Sequence, residues 1–229
     1  MGAERPPSNS KEINVYGVPP EIIREIKLDL EEFMHYQYLP VYIPFKISVP
    51  QNLQSFIPPL IREINKREKF WSSGMANTHY IYVTAKHRFA TPESPLNRPG
   101  WHCDGFGTDD INYIWFDKFS TRFAIQDFTD ISPDHVESMK NFDEQIEPDK
   151  IVEYQPNTLL RLTPYVVHTT PDIPAPGDFR SFIKISISRN KYNLAGNSHN
   201  YGLNYDWKMW PREIVRNHPI YAESDFYVE

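Results

Sequence analysis

The chain has 229 residues, a formal net charge of −6, 40% hydrophobic residues and 14% aromatics. That content is too apolar for a disordered chain, the length suits one full-sized domain, and the acidic balance argues against a protein that coats nucleic acid. No run of about 18 apolar residues could cross a membrane, no apolar secretory signal opens the chain, and a lone cysteine, Cys103, fits a reducing, cytoplasmic setting.

Residues 1–12 are polar, contain Pro6-Pro7, and read as a flexible N-terminal arm before a single domain over 13–229. After Pro19-Pro20, apolar residues at 22, 23, 26, 30 and 33 follow the helical period with acids in the first turn, which predicts a helix over 21–33. Residues 41–49 alternate around Pro44 as an edge strand or extended segment. A second helix is expected over 60–69, following Pro58-Pro59, so that 20–70 forms a helical buttress. From Thr78 the texture becomes β-branched and aromatic, with strands expected at 79–84, 111–116, 122–128, 158–162, 166–169 and 182–188. Between Asp130 and Lys150 lie seven acids and two lysines, with a short helix expected after Pro133 and a solvated loop or a lid as its role. Residues 189–229 form a polar C-terminal extension. Helices first and many short strands after predict a mainly β domain, an antiparallel sandwich or barrel buttressed by helices.

The sharpest local feature is Gly100-Trp101-His102-Cys103-Asp104-Gly105. On an extended backbone, residues two apart share a face with Cα atoms roughly 7 Å apart, so His102 and Asp104 can address one metal ion while Cys103 faces away. A third ligand is available from His168, which ends the apolar stretch Tyr165-Val166-Val167. Two histidines and one carboxylate on one side of a metal leave the opposite positions open, as a non-haem Fe(II) oxygenase requires, whereas a fourth protein ligand would favour structural zinc. Arg180 follows, opening a strand whose alternation groups it with Phe182, Lys184 and Ser186. A cation on an enclosed face needs an anion, and a dicarboxylic cosubstrate could join the metal to this guanidinium.

The ordered set His102-x-Asp104, distal His168 and a following cation resembles the Fe(II)- and 2-oxoglutarate-dependent dioxygenases, across residues 78–188. The resemblance implies a double-stranded β-helix (a cupin-like jelly roll) with His102, Asp104 and His168 as iron ligands. It also implies 2-oxoglutarate and O2 as cosubstrates, with succinate and CO2 released as a substrate C–H is hydroxylated. Members often carry Ser or Thr two residues after the basic residue; Phe182 stands there after Arg180, whereas Lys184-Ile185-Ser186 matches the pattern, so both cations remain candidates for the distal carboxylate. The intact Asp104 favours hydroxylation over halogenation. Tyr82 shares a face with Tyr80 and is a candidate to line the cosubstrate pocket, with core packing as its other reading. The expected substrate is a small molecule or a protein side chain. The alternatives are a nucleobase-modifying oxygenase, for which Arg189, Lys191 and Lys208 offer a thin basic stretch, and a metal-binding barrel without turnover.

Overall fold

The computed structural model describes residues 16–212; the arm expected over 1–12 and the end of the extension, 213–229, lie outside the described residues. Within them the chain is mainly antiparallel β with two α-helices. The strands are β1 (Glu21–Glu25), β2 (Met34–Ile43), β3 (Lys46–Ile47), β4 (Tyr80–Ala90), β5 (His102–Cys103), β6 (Ile111–Phe116), β7 (Arg122–Ala124), β8 (Ile151–Glu153), β9 (Thr158–Leu162), β10 (Val167–Thr169) and β11 (Asp178–Ser188). The helices are α1 (Ile57–Glu68) and α2 (His135–Gln145). A seven-stranded sheet runs β1-β9-β6-β11-β4-β2-β3, and a four-stranded sheet runs β5-β10-β7-β8. From β4 to β11 the chain passes back and forth between the two: β4, β6, β9 and β11 belong to the large sheet, β5, β7, β8 and β10 to the small one.

Alternation along the strands sorts the side chains into layers. The outer face of the large sheet carries Val83, Ala85, Ile183, Ile185 and Ile187, which pack against Ile57, Leu60, Ile61 and Ile64 of α1. Those four follow the helical period, and Pro58 and Pro59 sit in the first turn, where no N–H is needed. Each such side chain, fully buried, contributes roughly 1.5–3 kcal/mol. Between the sheets lie Ile114, Phe116, Phe123, Leu160, Leu162 and Phe182. Behind the small sheet, Cys103, Ala124 and Val167 pack against Phe142 of α2. The Asp134 carboxylate caps α2, accepting from the amides of Val136 and Glu137 at 2.9 Å each. Among the described residues no helix is long and apolar enough to cross a membrane.

The helix expected over 21–33 does not form, so the buttress over 20–70 is one helix, α1, beside three strands. Residues Glu21–Glu25 instead pair with β9 at the sheet edge. The backbone groups that a helix would spend internally are taken elsewhere: the Ile26 amide donates to the Asn157 carbonyl at 2.7 Å, and its carbonyl accepts from Trp115 Nε1 at 2.8 Å. Ile23, Ile26 and Leu28 still reach the core, because an edge strand and the loop after it can bury the same apolar residues. The segment over 41–49 is the end of β2 turning into β3 around Pro44 and Phe45. Strands β6 and β9 take the expected limits; β7 is shorter than expected, and β4 and β11 are longer.

Candidate metal centre and active-site cavity

Strand pairing brings distant histidines together. In the ladder between β5 and β10, His102 stands opposite His168, with ring centroids 4.6 Å apart. Asp104 follows β5 on the same side. One ligand atom from each of His102, Asp104 and His168 lies within 4.8 Å of the others. Gly100 (φ +85°) and Gly105 (φ +74°) flank the pair, and a Cβ at Gly105 would lie 2.8 Å from Asp110 Cβ, so both turns favour glycine. Cys103 points the other way, into the apolar cluster under α2.

The hydrogen bonds of the rings fix their roles. His102 Nδ1 lies 2.8 Å from the Gly100 carbonyl and His168 Nδ1 lies 3.0 Å from the Val166 carbonyl. A ring nitrogen facing a carbonyl must carry the hydrogen, so in the neutral ring the lone pair lies on Nε2. His168 Nε2 faces Asp104 Oδ2 at 3.5 Å. Burial, with His168 beside it, pushes the His102 imidazole down to about 3, so it is neutral near pH 7 and free to bind a cation. Burial alone would raise the Asp104 carboxyl; Lys184 and His168 outweigh it and hold the group well below the usual carboxylate range. Two imidazoles anchored through Nδ1 and one carboxylate fit a divalent transition metal, and three ligands leave room for more.

Lys184 is a direct neighbour of this group. Its Nζ donates to Asp104 Oδ1 at 2.9 Å and to Tyr38 Oη at 3.4 Å. The carboxylate beside it keeps the ammonium above its ordinary value against the effect of burial. A cavity of about 120 Å3 opens over the triad and is lined by Lys184, Phe182, Ile114, Thr84 and Thr121 from the strands and their loops, with Lys86, Arg98 and His135 among its other lining residues. Arg180 does not line it. The guanidinium is fully buried, lies 5.1 Å from the Phe182 ring centroid, and donates through Nε to the carbonyls of Lys118 and Phe119. Its Nη1 and Nη2 have no hydrogen-bond partner, nor does the buried Thr121 Oγ1. Burial lowers Arg180 to about 10, which leaves it charged at neutral pH.

Tyr82 stands outside the cavity lining. Its ring stacks on Tyr192 at 4.2 Å, and its hydroxyl donates to the Asn190 carbonyl at 2.9 Å, so it packs against the chain after β11, two residues along β4 from Thr84. The lining contains residues that sequence patterning did not single out. Gln37 and Tyr38 enter it because the register of β2 shifts between Tyr36 and Leu39, with Tyr38 at φ 48°. His135 lines the cavity from the start of α2. A left-handed tyrosine carries no sequence signature, and a histidine in the first turn of a helix gains a site only from the fold around it.

No protein-family model and no curated protein matches the chain. Solved structures similar to it include IDO from Bacillus thuringiensis (13% identity, TM-score 0.37, covering 62% of this chain and 65% of that one). A bsmA homolog from Methylobium petroleophilum PM1 has 15% identity and a TM-score of 0.36, covering 71% and 65%. EvdO2 from Micromonospora carbonacea var. aurantiaca has 12% identity and a TM-score of 0.31, covering 57% and 64%. The chain thus spans just under two thirds of the length of each. Any functional reading rests on the residues of the site itself.

Proposed function

We propose that the chain is an Fe(II)- and 2-oxoglutarate-dependent oxygenase that hydroxylates a small molecule or a protein side chain, built on a double-stranded β-helix. The observation that carries this reading is the triad: His102, Asp104 and His168 offer two oriented Nε2 atoms and one carboxylate, while Cys103 packs in the apolar cluster on the other side. The passage of β4 to β11 between the two sheets supports the jelly roll. When bound, iron and 2-oxoglutarate with O2 would supply an oxidant for a C–H bond, one oxygen atom going to the hydroxylated product and the other to succinate as CO2 leaves.

The chain's own residues would bind and orient these groups. The backbone carbonyls of Gly100 and Val166 hold the imidazoles against rotation. Lys184 occupies Asp104 Oδ1, leaving Oδ2 for a metal. The far carboxylate of the cosubstrate is assigned to Arg180, whose two partnerless guanidinium nitrogens, with the hydroxyl of Thr121, are donors in need of an anion. Phe182, which lines the cavity and touches Arg180, stands between them. A second reading gives the anchoring role to Lys184, because it lines the cavity directly and Arg180 does not.

Anaerobic Fe(II) titration with and without 2-oxoglutarate tests this. A weak visible charge-transfer band is expected, absent in His102→Ala and Asp104→Ala. Arg180→Ala should weaken 2-oxoglutarate binding about tenfold or more while iron binding persists; if Lys184→Ala does so instead, the second reading holds. A folded, iron-loaded protein that shows no band with 2-oxoglutarate would overturn the cosubstrate assignment.

A further inference from the structure

Tyr82, which stands outside the cavity lining, belongs to a continuous series of aromatic rings. The series begins in the cavity with Tyr38, whose hydroxyl accepts from Lys184 Nζ at 3.4 Å. Between centroids, Tyr38 meets Tyr192 edge-on at 5.2 Å, Tyr192 stacks on Tyr82 at 4.2 Å, and Tyr82 stacks on Tyr80 at 6.0 Å. Tyr80 meets Trp207 edge-on at 5.4 Å, and Trp207 is half-buried, so the series ends at the surface. A charged group sits beside these rings. Asp110 is 1% exposed, and its Oδ2 accepts from the Tyr192 hydroxyl at 2.5 Å. Burial raises its carboxyl above the ordinary value, against hydrogen bonds from Ser188, Tyr192 and Thr108, all of them neutral donors.

A phenol yields an electron readily only when its proton leaves with it, because the phenol radical cation is a very strong acid. A base within hydrogen-bond reach therefore separates a redox-active tyrosine from one that is merely packed. Tyr192 has that base in Asp110. Tyr38 has the opposite surroundings: an ammonium donates to its oxygen, and the positive charge opposes a hole there. Tyr82 donates to the Asn190 carbonyl, a poor base, and acts as a stacked bridge. An indole such as Trp207 can lose an electron and keep its N–H. Resting on the oxygenase reading above, we infer that Tyr192 and Asp110 form a redox-active pair that drains oxidising equivalents from the cavity to the surface when no substrate takes them. Tyr192 passes one electron by way of Tyr38 to the oxidant that iron, 2-oxoglutarate and O2 would supply. Its phenolic proton moves to Asp110 Oδ2, which leaves a neutral tyrosyl radical and a carboxylic acid. A one-electron donor in solution, ascorbate or a thiol, refills the hole through Trp207, Tyr80 and Tyr82, and the proton returns to the phenol. Two such cycles, with two protons from solvent, reduce to water the oxygen atom that a substrate C–H bond would have received.

The first test needs no metal. The full chain is oxidised by flash-generated ruthenium(III) tris-bipyridine in solution, and electron paramagnetic resonance reads the radical that survives, since exposed tyrosines such as Tyr201 give brief signals in every variant. A neutral tyrosyl radical should live about tenfold or more longer in wild type than in Tyr192→Phe or Asp110→Asn. Tyr192→Phe keeps the ring stack and Asp110→Asn keeps an acceptor for the phenol, and melting temperatures check that both fold. Trp207→Phe should slow formation of the radical. Wild type should form it more slowly in D2O, because a proton moves with the electron, and that measurement needs no variant. A radical equally long-lived in Tyr192→Phe or in Asp110→Asn, or formation indifferent to Trp207→Phe or to D2O, would each overturn the inference. In the second test, with Fe(II), 2-oxoglutarate and O2 but no substrate, the same signal should appear and ascorbate should quench it. Peptide mass spectrometry should then find more oxygen added to cavity-lining side chains in Tyr192→Phe than in wild type, and equal addition would overturn the draining role. A protein that consumes no O2 there, yet gives the radical without metal, counts against the oxygenase reading alone.

Discussion

The two sheets divide the work unevenly. In the large sheet, β4 and β11 are eleven residues each and pair along their whole length, with α1 sealing the face behind. In the small sheet, β5 has two residues, and β7, β8 and β10 have three. Strands so short have little stability of their own and are held by side chains packed on either face, here Phe123 toward the large sheet and Cys103, Val167 and Phe142 behind. Yet both candidate histidine ligands stand on the small sheet, while the large sheet supplies the cations, Lys86, Arg180 and Lys184. A long, continuously paired frame therefore fixes the charges that meet an anion, and a thin frame carries the imidazoles that meet a metal.

That difference can be broken most forcefully at Trp115. Its side chain is fully buried between the large sheet and α1, and its Nε1 holds the Ile26 carbonyl. Trp115→Ala should cost about 3–5 kcal/mol in denaturant unfolding, yet the folded fraction should still bind metal with near-normal affinity. Metal affinity falling in step with stability would mean that the two sheets are not separable in this way. A smaller effect is expected between the sheets. Asp104→Asn leaves the Lys184 ammonium buried beside no carboxylate and should cost about 3 kcal/mol. Adding Lys184→Met should recover most of that loss, because neither charge then remains, whereas metal binding should be absent from both variants. A double variant no more stable than Asp104→Asn would show that Lys184 is not held there by the carboxylate.

The same division governs what could be read from the sequence. Limits of β6 and β9 were legible because Ile111–Phe116 and Thr158–Leu162 are compact apolar runs in positions with one plausible conformation. The shared face of His102 and Asp104 was legible because alternation over two residues fixes a face, while His168 reaches them through the ladder between β10 and β5. The segment from Glu21 was not, since Ile22, Ile23 and Ile26 suit either a helix or an edge strand, and the choice is made by β9 and Trp115, far away in the chain. Alternation correctly grouped Arg180, Phe182 and Lys184 on one face, but not which of them reaches the cavity, because that depends on the Phe182 ring. Gln37 arrives through a bulge, Asn97 and Arg98 through a loop and His135 from the first turn of α2, and their placement follows from packing rather than from local pattern.

The smallest effect concerns His79, at the start of β4 and remote from the triad. It is buried, its Nδ1 faces the Met75 carbonyl at 3.2 Å and the Thr78 hydroxyl at 2.9 Å, and Arg189 Nε donates to its Nε2 at 3.4 Å. A nitrogen that accepts from a guanidinium has no room for a proton. Burial is the main force that lowers its pKa, and Arg189 adds to it. Between the folded value and the unfolded value of about 6.5, the unfolded chain binds a proton that the folded chain refuses, so stability rises with pH there and the contribution is lost as pH falls below about 6.5. His35 and His102, also lowered, bend the curve in the same sense, so the relevant quantity is wild type minus His79→Gln. That difference should slope with pH below about 6.5 and be flat above it. A difference that is flat throughout would mean that His79 is not held neutral in the fold.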